Sequence, residues 1–411
     1  MRRIVLGWAA AATLIGCGAS SACDLHLTPT APAETTSTTG FNDALASPAS
    51  SNLSLAPAAD TAAVTHPAIT AWRQNTTGLT GSSPNVTINT IVSAIPADVQ
   101  WVAYNASNAY VHASGVPSHP VGPFPGNPAA PSNRNRTIRV PLQPQPQTGT
   151  KTPTGLGAIG FMVNGVALYN AADARSYNNQ NVWHQNANVV EAGSFDTAPG
   201  HPAPVMGGTG NPVPGIYHYH QSPDLLIEQL DPNNTGQHHS PIIGYALDGF
   251  PIYGPYGYTN ADGTGGVARV ESSYKLRNIT TRTLLADGTD VLDGPAVSGT
   301  FLLGYYLEDF EFVANLGDLD VHNGRFAVTP EYPAGTYAYF ATLDATGDSF
   351  YPFLVGPSYY GVVATDNLGA GSVTVPADAT VYVVPEPASG LAVACGFAGL
   401  FRRRNRRQNR D

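Results

Sequence analysis

The chain has 411 residues and a formal charge of −10, with 43 glycines and 35 prolines. Eight of its 19 basic residues lie in the two ends, so residues 28–384 carry 11 basic against 26 acidic side chains. Such a body repels nucleic acid and other polyanions, and its glycine and proline content argues against long helices. All three cysteines (Cys17, Cys23 and Cys395) sit in the end segments. The body therefore has no disulfide and no thiolate ligand, and its stability must come from a core that a chain of this length can bury.

The first 22 residues read as an export signal. Arg2 and Arg3 supply positive charge, Ile4 to Ile15 form a short apolar run, and small residues follow from Gly18 to Ala22. That order is the pattern of a secretory signal, and the run is short for a membrane span. Cleavage before Cys23 is one expectation. Leu14-Ile-Gly-Cys17 also resembles a bacterial lipoprotein box, which would make Cys17 a lipidation site. Residues 23–65 are rich in Ser, Thr, Ala and Pro and read as a disordered spacer.

The body, 66–384, is expected to be all-β, an antiparallel sandwich or barrel with long Gly/Pro-rich loops. No long segment shows a 3.6-residue period, and short apolar runs bounded by turn residues recur. Strands are predicted at Val86–Val92, Val99–Tyr104, Thr137–Leu142, Ile159–Val163, Val166–Tyr169, Ile216–His220, Ile242–Leu247, Thr300–Tyr306, Thr336–Thr342 and Thr380–Val384. An internal repeat runs through them. Gly160-Phe-Met-Val-Asn-Gly-Val-Ala-Leu-Tyr169 parallels Gly244-Tyr-Ala-Leu-Asp-Gly-Phe-Pro-Ile-Tyr253, each a hairpin signal centred on Asn-Gly or Asp-Gly. Gly215-Ile-Tyr-His-Tyr-His220 parallels Gly335-Thr-Tyr-Ala-Tyr-Phe340, with His201 and His322 a loop upstream of each. Two related units are expected, about 155–230 and 240–355, the second carrying an insertion near 259–300.

Five histidines fall between residues 201 and 239: His201, His218, His220, His238 and His239. In a strand His218 and His220 share one face, with Tyr217 and Tyr219 on the other. Two imidazoles on one face can meet one ion, with further ligands from loops. His201 and His239 are the expected completers. Asp248 reads as a hairpin-turn residue, an extra ligand or a partner of an imidazole. Nitrogen and carboxylate donors without sulfur suit Zn, Cu(II), Fe, Ni or Mn, with copper or zinc placed first. As alternatives, the same histidines admit metal-free acid/base chemistry in a hydrolase or lyase, or no chemistry in a structural or adhesive matrix protein. His26, His66, His112 and His119 read as surface residues.

At these motifs the chain resembles the YHYH-domain proteins, bacterial exported proteins of unassigned function. Val163-Asn-Gly-Val166, Gly200-His-Pro202, Gly215-Ile-Tyr-His-Tyr-His220 and His239 through Pro255 carry the likeness, over about 155–363. Members with His-Tyr-His in the second tyrosine-rich strand differ from this chain, which has Tyr-Ala-Tyr-Phe340 there.

The C-terminus reads Val384-Pro-Glu-Pro387, an apolar stretch from Ala388 to Phe401, then Arg402-Arg-Arg-Asn-Arg-Arg407. Residues 385–411 resemble a PEP-CTERM sorting tail. The resemblance implies recognition by an exosortase and delivery to the outer surface or extracellular matrix of a Gram-negative-type bacterium, where extracellular polysaccharide is a candidate partner.

Overall fold

A computed structural model describes residues 64–205, 207–367 and 371–385. The chain divides into two units, Met1–Ala59 and Asp60–Asp411. The signal, nearly all of the spacer, His26, the three cysteines and all but Pro385 of the sorting tail lie outside the described residues.

The described residues are mostly strands, arranged in several sheets with no closed barrel. One four-stranded antiparallel sheet has the order Thr380–Tyr382, Val99–Tyr104, Asn108–Ala113, Arg136–Pro141. Its Ala109, Val111, Ile138 and Val140 join the main core. The expected strand Val86–Val92 is instead a helix. The Asn85 side chain caps it by accepting from the Ile88 N–H, and Ile88 and Val92, four residues apart, are both buried. A cap and one apolar face thus override a β-branched run. A short helix also spans Asp224–Leu230, where no element is predicted.

The central sheet has nine strands: β1 (Ala129–Pro131), β2 (Ala158–Met162), β3 (Ala167–Tyr169), β4 (Gly200–Pro204), β5 (Val213–Tyr219), β6 (Ile242–Ala246), β7 (Pro251–Tyr253), β8 (Gly324–Ala327) and β9 (Thr336–Phe340). Their order is β8-β9-β7-β6-β2-β3-β5-β1, with β4 on β5. The sheet is mixed. Hairpins β2–β3 and β6–β7 are antiparallel, as are β4–β5 and β8–β9, but β5 runs parallel to β3 and to β1, and β9 parallel to β7.

This order is two copies of one four-strand pattern, β2-β3-β4-β5 and β6-β7-β8-β9, joined by the antiparallel β2–β6 pair. Phe161 faces Tyr245 across that pair, and these two residues occupy the same place in the repeat. A pseudo-two-fold axis therefore passes through their contact. Side chains repeat the symmetry. The Tyr217 hydroxyl donates to Asp196 Oδ2 (2.8 Å), and the Tyr337 hydroxyl to Asp320 Oδ1 (2.9 Å). Asp196 also accepts from the Gly200 N–H, as Asp320 does from Gly324. Tyr219 reaches the Asn-Gly turn at Asn164, and Tyr339 the Asp-Gly turn at Asp248. All four tyrosines are buried.

The insertion in the second half is longer than expected. Hairpins Tyr256–Tyr258/Val267–Arg269 and Tyr274–Leu276/Phe310–Phe312 fill it. The expected strand Thr300–Tyr306 is a turn within this insertion. Gly304 has φ +95°, and buried Asp309 accepts from the Gly304 and Tyr306 N–H groups while Arg282 binds it through two 2.7 Å contacts. A fully buried ion pair with its backbone donors holds that loop where a ladder was expected.

Candidate metal centre

The alternation of β5 sets the site. Tyr217 and Tyr219 point into the core, and Ile216, His218 and His220 project from the opposite face. His201 on β4 lies directly across the ladder from His218. His220 follows the end of β5. The fourth group is Glu191, which closes the short helix Ala187–Val190.

One donor atom from each of Glu191, His201, His218 and His220 lies within 4.8 Å of all the others. Four contacts close a ring: His201 Nε2 to His218 Nε2 at 3.2 Å, His218 Nε2 to His220 Nε2 at 3.0 Å, and Glu191 Oε2 to His220 and His201 Nε2 at 3.1 and 3.2 Å.

The far side of each imidazole fixes its tautomer. His218 Nδ1 sits 2.9 Å from the Ile216 carbonyl, and His220 Nδ1 2.6 Å from the Asn170 carbonyl. A carbonyl only accepts, so each Nδ1 carries the proton and donates it. His201 Nδ1 lies 2.7 Å from the Ser194 hydroxyl. That hydroxyl donates to the Glu191 carbonyl, so it accepts from His201. In their neutral form all three imidazoles therefore turn an unprotonated Nε2 toward one another.

The charge state of His218 agrees with this. Burial, and then the neighbouring His220 and His201, drive His218 well below the usual imidazole range, so it is neutral. Burial opposes ionisation of Glu191, but a positive charge between its Oε2 and the Nε2 atoms of His201 and His220, on the imidazoles or on a bound cation, holds its carboxyl below the usual carboxylate range. Glu191 Oε2 is buried with no hydrogen-bond partner among the described residues. With the imidazoles neutral, three nitrogen lone pairs and one carboxylate oxygen face a common centre with no donor between them. Buried acceptors in that state are costly unless a proton or a metal cation joins them.

The donor set fits a transition metal. Ligands at 2.0–2.1 Å in a tetrahedron stand about 3.3 Å apart, and in a square about 2.9 Å along each side. The sides of 3.0–3.2 Å fall between. Nδ1–H bonds to backbone and hydroxyl acceptors are the outer support that metal-bound histidines need. Phe195 packs edge-on to His201 at 4.9 Å, and the Tyr169 ring stacks on His218 at 4.0 Å.

His239 is not part of the cluster. It precedes β6, which β2 and β3 separate from β5. Its Nδ1 donates to the Ser240 carbonyl (2.7 Å), and its ring lies against Tyr253 and Tyr258. His238 pairs with Asp231 and His184 with Glu308, both away from the cluster. His119, expected on the surface, is buried, its Nε2 2.6 Å from the Tyr219 hydroxyl. Asp248 is a turn residue and touches no imidazole; its carboxylate accepts from Tyr339, Gly361 and Phe250.

Strand register also corrects the repeat. The residue opposite Ala338 is Arg325, so Arg325 and not His322 stands where His201 does. The second half accordingly replaces His201, His218 and His220 with Arg325, Ala338 and Phe340. The Arg325 guanidinium sits 5.5 Å over the Phe340 ring, and Tyr253, the counterpart of Tyr169, stacks on that ring. By the same spacing Glu191 corresponds to Asn315. Glu191 has no local motif around it. The signal that would have found it is this contrast: an acid in the half that keeps its histidines, an amide in the half that lacks them.

A family model described as YHYH protein matches residues 137–350, just over half of the chain. No curated protein and no solved structure matches the chain. The matched span contains both copies of the four-strand pattern and all four converging donors, and the chain belongs to the YHYH protein family.

Proposed function

We propose that this is an exported, surface- or matrix-associated protein that holds one transition-metal ion, copper or zinc, in the first half of its repeat. His201, His218 and His220 bind through Nε2 and Glu191 through Oε2. The observation that carries the proposal is the pinning of all three Nδ1–H groups to acceptors, which leaves three nitrogen lone pairs and an orphaned carboxylate oxygen aimed at one point. Such an ion supplies Lewis acidity, or one-electron chemistry in the case of copper. The chain's own groups set the tautomers and bury the three imidazoles, with the Glu191 side chain a quarter exposed at the edge. Export rests on the signal-like N-terminus, and surface delivery on the PEP-CTERM-like tail, with an exosortase as sorting partner and extracellular polysaccharide as the matrix component met there.

The test is metal analysis of the full chain, with a His218→Ala/His220→Ala control. One equivalent of copper or zinc in the parent and none in the double variant is the expected result. Stoichiometric metal that survives the double change would move the site elsewhere, and a metal-free parent that takes up neither ion would favour acid/base use of the same histidines. Electron paramagnetic resonance of the Cu(II) form separates a flattened ring from a folded one. For delivery, deletion of residues 386–411 should change the cell fraction in which the protein is found.

A further inference from the structure

We propose that the cavity beside Tyr169 binds a small organic carboxylate with an apolar body. The cavity encloses about 300 Å³, within the range of small-molecule sites, and is lined by Arg134, Arg136, Ile138, Phe161, Tyr169 and Ile216. It lies on the same face of the central sheet as the histidine cluster. Ile216 is two residues before His218 on β5, and Phe161 faces Ala167, which in turn faces His218.

Its charge is unusual for this protein. Residues 28–384 hold only 11 basic side chains against 26 acidic ones. The ion pairs of Arg and Lys among the described residues use Arg73, Arg139, Arg269, Lys275 and Arg282, and neither Arg134 nor Arg136. Two guanidinium groups therefore line one cavity with no carboxylate on them among the described residues. Arg136 donates through Nη2 to the Asn367 carbonyl and lies 4.8 Å over the Phe161 ring, but its Nε is buried with no partner among the described residues. Burial weakens its hold on its proton, a cost that a bound anion relieves.

A guanidinium fork matches a carboxylate, while Ile138, Phe161 and Ile216 match an apolar body. A bare inorganic anion would leave those walls facing water. The cavity and its arginines do not depend on the metal, so this inference stands apart from the metal proposal. Tyr169 joins the two sites physically, since its ring lines the cavity and stacks on His218.

The test is calorimetric titration of the full chain with benzoate, benzamide and inorganic phosphate, with metal content measured on the same samples. Benzoate should bind saturably at one site, and benzamide and phosphate at least about tenfold more weakly. Arg134→Met and Arg136→Met should each weaken benzoate at least about tenfold without changing metal content. Circular dichroism checks the fold, and if Arg136→Met fails to fold, Arg134→Met decides. Benzamide or phosphate binding as well as benzoate, unchanged benzoate affinity in the arginine variants, or no saturable benzoate binding would each overturn the proposal. Intact benzoate binding by a protein that takes up no metal would sink only the metal reading.

Discussion

Asp248 gives the fold a measurable pH signature. It is fully buried, and burial pushes its carboxyl up from 3.8 to about 6 against the pull of the Tyr339 hydroxyl and the Gly361 and Phe250 N–H groups. A carboxyl whose folded pKa lies above its unfolded one binds its proton more tightly when folded. Its stabilising contribution is fully present below pH 3.8 and is lost as pH rises through about 6. The shift of about two units corresponds to roughly 3 kcal/mol. Asp248→Asn removes this titration, and Asn164 already occupies the matching turn in the first half. The amide nitrogen would meet the Phe250 N–H, a cost that does not vary with pH. The prediction is therefore about slopes: between about pH 4 and pH 7 the stability of the parent relative to the variant should fall by ~3 kcal/mol, on the order of 6 °C in melting temperature. Thermal melts of both proteins across that range test it. Parallel curves would refute the assignment of a titrating, proton-holding Asp248.

Saturating metal should also stabilise the protein. At a hundredfold excess over Kd the gain is about 2.7 kcal/mol, read as a higher melting temperature that His218→Ala/His220→Ala abolishes. Glu191→Gln keeps the shape of the fourth donor but removes its charge; it should weaken metal binding measured by competition with a chelator, and unchanged affinity would remove Glu191 from the ligand set. A Cβ on Gly200 would clash with the Tyr217 hydroxyl, and one on Gly324 with the Tyr337 hydroxyl. Both alanine variants should lose about 1–3 kcal/mol in urea unfolding. Only Gly200→Ala, which displaces the strand carrying His201, should also lose metal affinity. Equal metal loss in both would show a general rather than a local effect.

Much of this arrangement is legible in the chain. Period-2 alternation placed His218 and His220 together, and the two Asn/Asp-Gly turns located both hairpins and the repeat. What failed has physical causes. Val86–Val92 has strand composition, but one side-chain cap and two buried residues four apart make it a helix. The Thr300–Tyr306 run was outweighed by Asp309 and Arg282, whose contacts span the insertion and leave no local pattern. His239 belongs to the expected ligand set, but in the sheet β2 and β3 stand between β6, which it precedes, and β5 of the cluster. Glu191 comes from a loop, where spacing carries no information about direction.

The two halves together divide the labour within Tyr-His-Tyr-His. Its tyrosines have counterparts in Tyr337 and Tyr339, which make the same kinds of bond to an aspartate before the hairpin and to the polar residue of the Asx-Gly turn. Those bonds persist where the second half has no ligands at all, so they belong to the scaffold. Register in a strand has a period of two, and a slip of one residue would turn both histidines into the core and both tyrosines out of it. The buried hydroxyls forbid that slip, because each would lose its partner in a site that water does not reach. The tyrosines thus hold the frame in which the histidines can converge. The histidines themselves have been exchanged for Ala338 and Phe340 in the second half without disturbing it. A residue set that the second half of the fold lacks, yet which converges on one point in the first half, is the contrast on which the proposed metal site rests.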